Sequence, residues 1–149
     1  MRVKNLDLER LMSIPDVELA YIAGFFDGEG CVGIGRRGFQ NNGAAVFNTY
    51  IDISQKKREV LDWIAERFTG TVRWRPNGTG SHNPGGGLWV WRIDGNLQCA
   101  TILKLIKRFV IVKRDQVELV LQFCETRHAI TDVQKDNLVS LVKEAKRSA

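Results

Sequence analysis

Asp27 and Glu29 stand either side of Gly28, where a run of small residues ends. Carboxylate oxygens are preferred ligands of hard cations such as Mg²⁺. An acid held where a helix stops is therefore a candidate metal ligand. The preceding residues make that reading more specific. Ala20, Gly24 and Gly28 recur every four residues, so on a helix they form one stripe bare of side chains. A second helix can approach such a stripe almost backbone to backbone. The acids would then lie at the base of a helix pair, which is the plan of a dimer axis carrying a metal site.

Gly28-Glu29-Gly30-Cys31-Val32-Gly33 also spells the glycine fingerprint of dinucleotide sites. That fingerprint requires a strand before it and a helix after it. Here an amphipathic helix precedes and an extended segment follows, so the nucleotide reading is set aside. His82 falls in a glycine-rich loop and His128 in a late helix, and neither is a persuasive base or ligand. Asn77-Gly78-Thr79 matches a glycosylation acceptor, which has no meaning in an intracellular protein.

The chain of 149 residues is expected to form a single domain over 1–149, with 44% apolar residues supporting a core without staples. No apolar run is long enough to span a bilayer and no signal-peptide pattern opens it. An intracellular, soluble protein is expected, in a prokaryotic cytoplasm or an organelle. Cys31, Cys99 and Cys124 are odd in number and widely spaced, which reads as reduced core thiols. The net charge of +5 favours a polyanionic partner.

The elements that must position the acids follow from periodicity and breakers. Residues 1–12 form an arm or a short helix. Ser13 is expected to cap a helix from about Pro15 to Asp27, closing near residue 28. Val32 and Ile34 alternate with Gly33, Gly35 and Arg37 in a first strand, and a turn around Asn41-Asn42-Gly43 leads to a second. There Phe47, Ile51 and Ile53 take one face, and Asn48, Tyr50, Asp52 and Ser54 the other. A helix over about 57–68, strands over 71–75 and 88–94, and a loop from Pro76 to Gly87 follow. Val72, Trp74, Trp89, Trp91 and Ile93 point inward. Helices over 96–110, 114–127 and 131–146 complete the chain, the last with an apolar stripe of Leu138, Leu141, Val142 and Ala145. The order αββαββα implies an α+β fold: a four-stranded antiparallel sheet with helices on one face and C-terminal helices from about 114. The other face is left free and polar. Arg37, Asn48, Tyr50, Asp52, Ser54, Arg73, Arg75 and Arg92 collect there, a set suited to the major groove, where arginine pairs with guanine and asparagine with adenine.

Ile22-Ala23-Gly24-Phe25-Phe26-Asp27-Gly28-Glu29-Gly30 resembles the signature of the LAGLIDADG homing endonucleases. It departs from that signature in Gly28 for an alanine and Glu29 for the second aspartate, which keeps size class and charge. The resemblance spans roughly residues 18–116. It implies a site-specific endonuclease that reads a long stretch of double-stranded DNA with a saddle of strands and leaves 3′ overhangs. Mg²⁺ is the implied cofactor, with Mn²⁺ able to substitute and Ca²⁺ binding without supporting cleavage.

By the same resemblance Glu29 supplies the metal carboxylate and the Gly28 carbonyl a further ligand, while Asp27 supports the helix–strand junction. Gln55 matches a water-ordering glutamine, and a cation follows at Lys57 or Arg58, with Arg58 favoured. Lys113 resembles a lysine that approaches the scissile phosphate. Because the motif occurs once, the chain is expected to pair with itself through Ala20, Ala23, Gly24, Asp27 and Gly28 on a near-palindromic site. The alternative is a non-cleaving relative, either a DNA binder or an intron RNA maturase with RNA as partner.

Overall fold

The structure, a computed structural model, describes residues 7–39, 43, 45–76 and 86–148. Strands β1 (Gly30–Phe39), β2 (Ala45–Gln55), β3 (Thr71–Pro76) and β4 (Gly87–Asp94) form one antiparallel sheet in the order β1-β2-β4-β3. The helices are α1 (Leu8–Met12), α2 (Asp16–Glu29), α3 (Arg58–Phe68), α4 (Asn96–Ile106), α5 (Arg114–Thr126) and α6 (Asp132–Ser148), with a 3-10 turn over Lys107–Phe109. The expected α+β architecture is present. The Asn41-Asn42 turn, most of the Pro76–Gly87 loop with His82 and Asn77, and residues 1–6 lie outside the described residues.

Strand alternation decides which side is core. Val32 pairs with Ile51, Ile51 with Ile93, and Ile53 with Trp91, so these side chains share one face. Against them pack Ile22, Ala23 and Phe26 of α2, Leu61, Ile64 and Phe68 of α3, and the apolar faces of α4 and α5. The opposite register carries the polar side chains named from the sequence, apart from Arg37, whose side chain lies outside the described residues.

Several local expectations need correction. Ser13 does not cap α2. It closes α1, its hydroxyl donating to the Arg10 carbonyl, and Pro15 takes the position before Asp16. The 96–110 helix tightens into the 3-10 turn after Ile106. In α6, Leu138 and Val142 are buried but Leu141 is exposed, because α6 meets its neighbours along a narrower seam. Trp74 lies on the core register yet is half exposed, packed edge-on against Trp89 at the rim of the sheet. Among the described residues no helix is long and apolar enough to cross a membrane.

One polar pin fixes the sheet to the second half. Thr49 is fully buried on the core face, and its amide (3.1 Å) and hydroxyl (3.0 Å) both donate to Asn96 Oδ1 at the start of α4. The Thr49 carbonyl accepts from the Gly95 amide at 3.0 Å. Removing the shared acceptor strands two buried donors, each costing about 1–3 kcal/mol. Asn96→Ala is therefore expected to lower unfolding free energy by about 2–4 kcal/mol in denaturant titration; a loss below about 0.5 kcal/mol would show that the pin is dispensable.

Candidate nucleic-acid interface and active site

Helix α2 has two unlike sides. Leu19, Ile22, Ala23 and Phe26 are sealed in the protein's own core, whereas Val17, Tyr21, Gly24 and Gly28 are exposed and Ala20 partly so. A Cβ built on Gly24 or Gly28 would meet nothing within 4 Å. Ala20, Gly24 and Gly28 thus form the open stripe expected of them. Ala23 does not belong to it. Helical spacing places Ala23 beside Leu19 and Phe26, where it has no exposed surface.

Asp27 is likewise turned inward and employed. Its carboxylate accepts the amides of Ile111 (2.8 Å) and Lys113 (3.1 Å). In return Lys113 Nζ donates to the carbonyls of Asp27 (2.6 Å) and Phe26 (3.2 Å), satisfying groups that the end of a helix leaves open. This reciprocal clamp fixes the chain before α5 against the last turn of α2. It gives Asp27 a supporting role toward the segment before α5 rather than at the helix–strand junction, and brings Lys113 to the helix end that carries Glu29.

Glu29 is the last residue of α2, exposed, with no hydrogen bond or ion pair among the described residues. The last turn of α2 holds no basic residue, so this carboxylate stands unbalanced at the negative end of a helix dipole. Gly30 pairs with Ile53, and the next residues of β2, Ser54 and Gln55, therefore run past the helix end. Gln55 Oε1 accepts from the Lys56 amide at 2.7 Å. Arg58 donates through Nε to both Asp62 oxygens at 3.1 Å and lies 4.6 Å over the ring of Trp89, the cross-strand partner of Gln55. Lys57 is exposed at the start of α3. Among the described residues no group of three or more His, Cys, Asp or Glu is gathered to hold a metal.

The outward register of the sheet reads Asn48, Tyr50, Asp52 and Ser54 on β2, opposite Asp94, Arg92 and Val90 on β4 and flanked by Arg73 and Arg75 on β3. Arg37 lies on β1, its side chain outside the described residues. Arg92 donates to Asp94 (3.0 Å) and Asp52 (3.4 Å), and its guanidinium lies 4.4 Å from the centre of the Tyr50 ring. Arg75 donates to Ser54 at 3.2 Å. Arg73 and Arg75 are exposed. Burial raises the Asp52 carboxyl above its ordinary value despite the opposing pull of Arg92. Apart from Arg37, the side chains expected on one face are thus on one face, several already tied to one another.

Some members were not evident from sequence. Asp94 completes the Arg92 fork, and only its period-two spacing from Arg92 hinted at a shared face. Cys31 is not a core thiol. It faces outward beside Tyr50, whose hydroxyl and ring Cζ lie where a Gly33 side chain would be, 2.5 and 2.7 Å from a Cβ built there. Cys99 and Cys124 are buried as expected, and burial pushes the Cys99 thiol up to about 12. The partners of Asp27 lie far along the chain, beyond any local pattern.

No family model matches the sequence, and no curated protein matches it. Solved structures do. The homing endonuclease I-CvuI, in complex with the I-CreI target, aligns at TM-score 0.69 and 20% identity, covering 89% of this chain and 82% of that one. The archaeal intron-encoded homing endonuclease I-Vdi141I, complexed with DNA, aligns at 0.66 and 23%, covering 90% and 85%. The LAGLIDADG homing endonuclease I-GzeII, in complex with its DNA target, aligns at 0.60 and 18%, covering 83% of this chain and 43% of that one.

The clamp makes its own prediction. Asp27→Ala removes a charged acceptor from two amides, a loss of about 1.5–3 kcal/mol. Hydrogen exchange at Ile111 and Lys113 is expected to accelerate by roughly tenfold or more, with the β2 amides little changed. Unaltered exchange at Ile111 and Lys113 would show that Asp27 does not hold this segment.

Proposed function

We propose that this chain, which has the fold of the LAGLIDADG homing endonucleases, is a site-specific double-strand DNA endonuclease that acts as a homodimer with a divalent metal. One observation carries the reading: a helix stripe bare of side chains ends on a carboxylate without a partner among the described residues. The bare face suits a second copy of α2. Ile111 and Val112 extend it, since both are exposed and the Ile111 amide is bound to Asp27. I-GzeII offers a parallel, for this chain covers less than half of that one, and two copies would make up the complement.

The donor set fits Mg²⁺ as half of a site. Glu29 is an oxygen ligand at the negative end of a helix, where a cation relieves charge. A second copy would contribute the matching carboxylate across the axis, and the Gly28 carbonyl lies in the same turn. When bound, the metal would polarise the scissile phosphate and lower the pKa of a water.

The protein's own side chains supply the remainder. Gln55, at the end of β2, can order the attacking water by hydrogen bonding. Arg58, seated on Trp89 beside Gln55, can face the phosphate by leaving Asp62, and its placement favours it over Lys57. Lys113 balances charge building on the phosphate through an ammonium held at the α2 terminus. Outward arginines and Asn48 read base edges in the major groove, with Arg92 pre-aimed by Asp52 and Asp94. Cutting each strand once about a two-fold axis would leave 3′ overhangs on a near-palindromic site.

The test pairs cleavage with mass. Wild-type protein incubated with a randomised duplex library and Mg²⁺ is expected to yield staggered breaks at near-palindromic sites. Glu29→Gln should bind the same sites within a few-fold while cleavage falls by roughly two to three orders of magnitude. Gly24→Leu should shift the mass from dimer to monomer and abolish cutting. Binding without cutting by the wild type would favour the non-cleaving DNA binder. Preference for structured RNA over the duplex would favour the maturase, and a stable monomer on DNA would refute the homodimer.

A further inference from the structure

Among the described residues, the outer face of the sheet carries a cation that no strand supplies. Near its start, α6 meets β1 on the core register, where Asp136 pairs with Arg36 at 3.5 Å and Lys135 lies over Phe47. In its last turn Lys146 reaches the other register. Its Nζ lies 3.2 Å from Cys31 Sγ and 5.7 Å from the centre of the Tyr50 ring. Helix α6 therefore crosses the free edge of the sheet, and Lys146 ends among the outward side chains, beside Cys31, two residues past Glu29.

The local charge makes that placement meaningful. Arg92 is shared by two carboxylates, Asp52 and Asp94, and Arg75 also acts on Asp52. Lys146 is the additional cation there and acts electrostatically on both Asp52 and Tyr50. Burial pulls its amine down, but contact with Cys31 and Tyr50 outweighs this and holds it above its ordinary value. It remains an ammonium at neutral pH. Of its three N–H donors, one is directed at the Cys31 sulfur, a weak acceptor, and one engages Tyr50, which leaves the third for a stronger acceptor. A phosphate oxygen is such an acceptor and gives a short charge-assisted bond.

We infer that Lys146 is a DNA-backbone contact delivered by the C-terminal helix, its ammonium binding a phosphate of the duplex close to the two-fold axis. The inference rests on the endonuclease reading and extends it to a helix that the sequence motif does not reach. Cys31 and Tyr50 act as its seat, holding the amine on the open face.

A merely structural lysine, anchoring α6 to β1, makes different predictions. The probe is a mixed-sequence DNA duplex, with affinity of the full chain measured across a salt series. Each phosphate contact contributes close to one unit to the slope of log affinity against log salt. Lys146→Met keeps the aliphatic stem and is expected to reduce that slope by about one and weaken binding roughly three- to tenfold. Its melting temperature should stay close to wild type. Lys146→Arg should restore slope and affinity. An unchanged slope in Lys146→Met, or a loss of thermal stability without a change of slope, would overturn the inference. Failure of the wild-type protein to bind the duplex at all would overturn the endonuclease reading along with it.

Discussion

The reciprocal clamp between Asp27 and Lys113 is the contact on which the rest of the site depends. A helix that ends in Gly28-Glu29-Gly30 has open carbonyls, a flexible exit and an acid at the wrong pole of its dipole. Lys113 covers two of those carbonyls, and Asp27 holds the segment that delivers Lys113. Both ends of the exchange are charge-assisted, the stronger class of hydrogen bond. The outcome is a rigid corner that joins α2, the start of β1 and the approach to α5. Glu29, which has no side-chain partner among the described residues, takes its place from that corner.

The sheet face shows the same economy in a different form. An arginine free in water has many rotamers, and fixing one on a base costs entropy at the moment of binding. Here Arg92 is already forked between Asp94 and Asp52 and stacked on Tyr50. The arrangement burdens the folded state, since burial makes the Asp52 charge less favourable. A carboxylate kept where it strains the protomer is easier to understand as a holder of Arg92 than as a stabiliser of the fold. Glycine serves this face too: Gly33 admits the Tyr50 ring, and the ring in turn floors the space reached by Lys146.

What was legible in the sequence was whatever repeats locally. Period-two alternation set both faces of β2 and β4, and glycine spacing set the open side of α2, because each signal is carried by residues one turn or one pleat apart. The motif placed Glu29 correctly at the end of its helix. Ala23 shows the limit: it belongs to the same nine-residue signature as Gly24, yet a rotation of about one hundred degrees per residue puts it in the core. The Asp27–Lys113 clamp, the Thr49–Asn96 pin and the Lys146–Cys31 contact join residues far apart in sequence. No local pattern records such pairs, whereas the outward place of Cys31 follows from its alternation with Val32 and Ile34.

The exposed glycines bear the final argument, for they make little sense in a lone protomer. Each glycine inside a helix costs about 1 kcal/mol relative to alanine. Within the protomer nothing forbids alanine, since a Cβ at Gly24 or Gly28 would enter open space, and neither glycine has a positive φ. Chain entropy and local sterics therefore both disfavour the residues actually present. A second helix laid across this face reverses the balance, because the side chains that α2 lacks are those that would hold the two backbones apart. The exposed carboxylate tells the same way: among the described residues Glu29 makes no hydrogen bond or ion pair, and an axis that brought two such acids together would need a cation to close. The bare face and the bare acid, unfavourable separately, would be explained together by the proposed dimer built around metal.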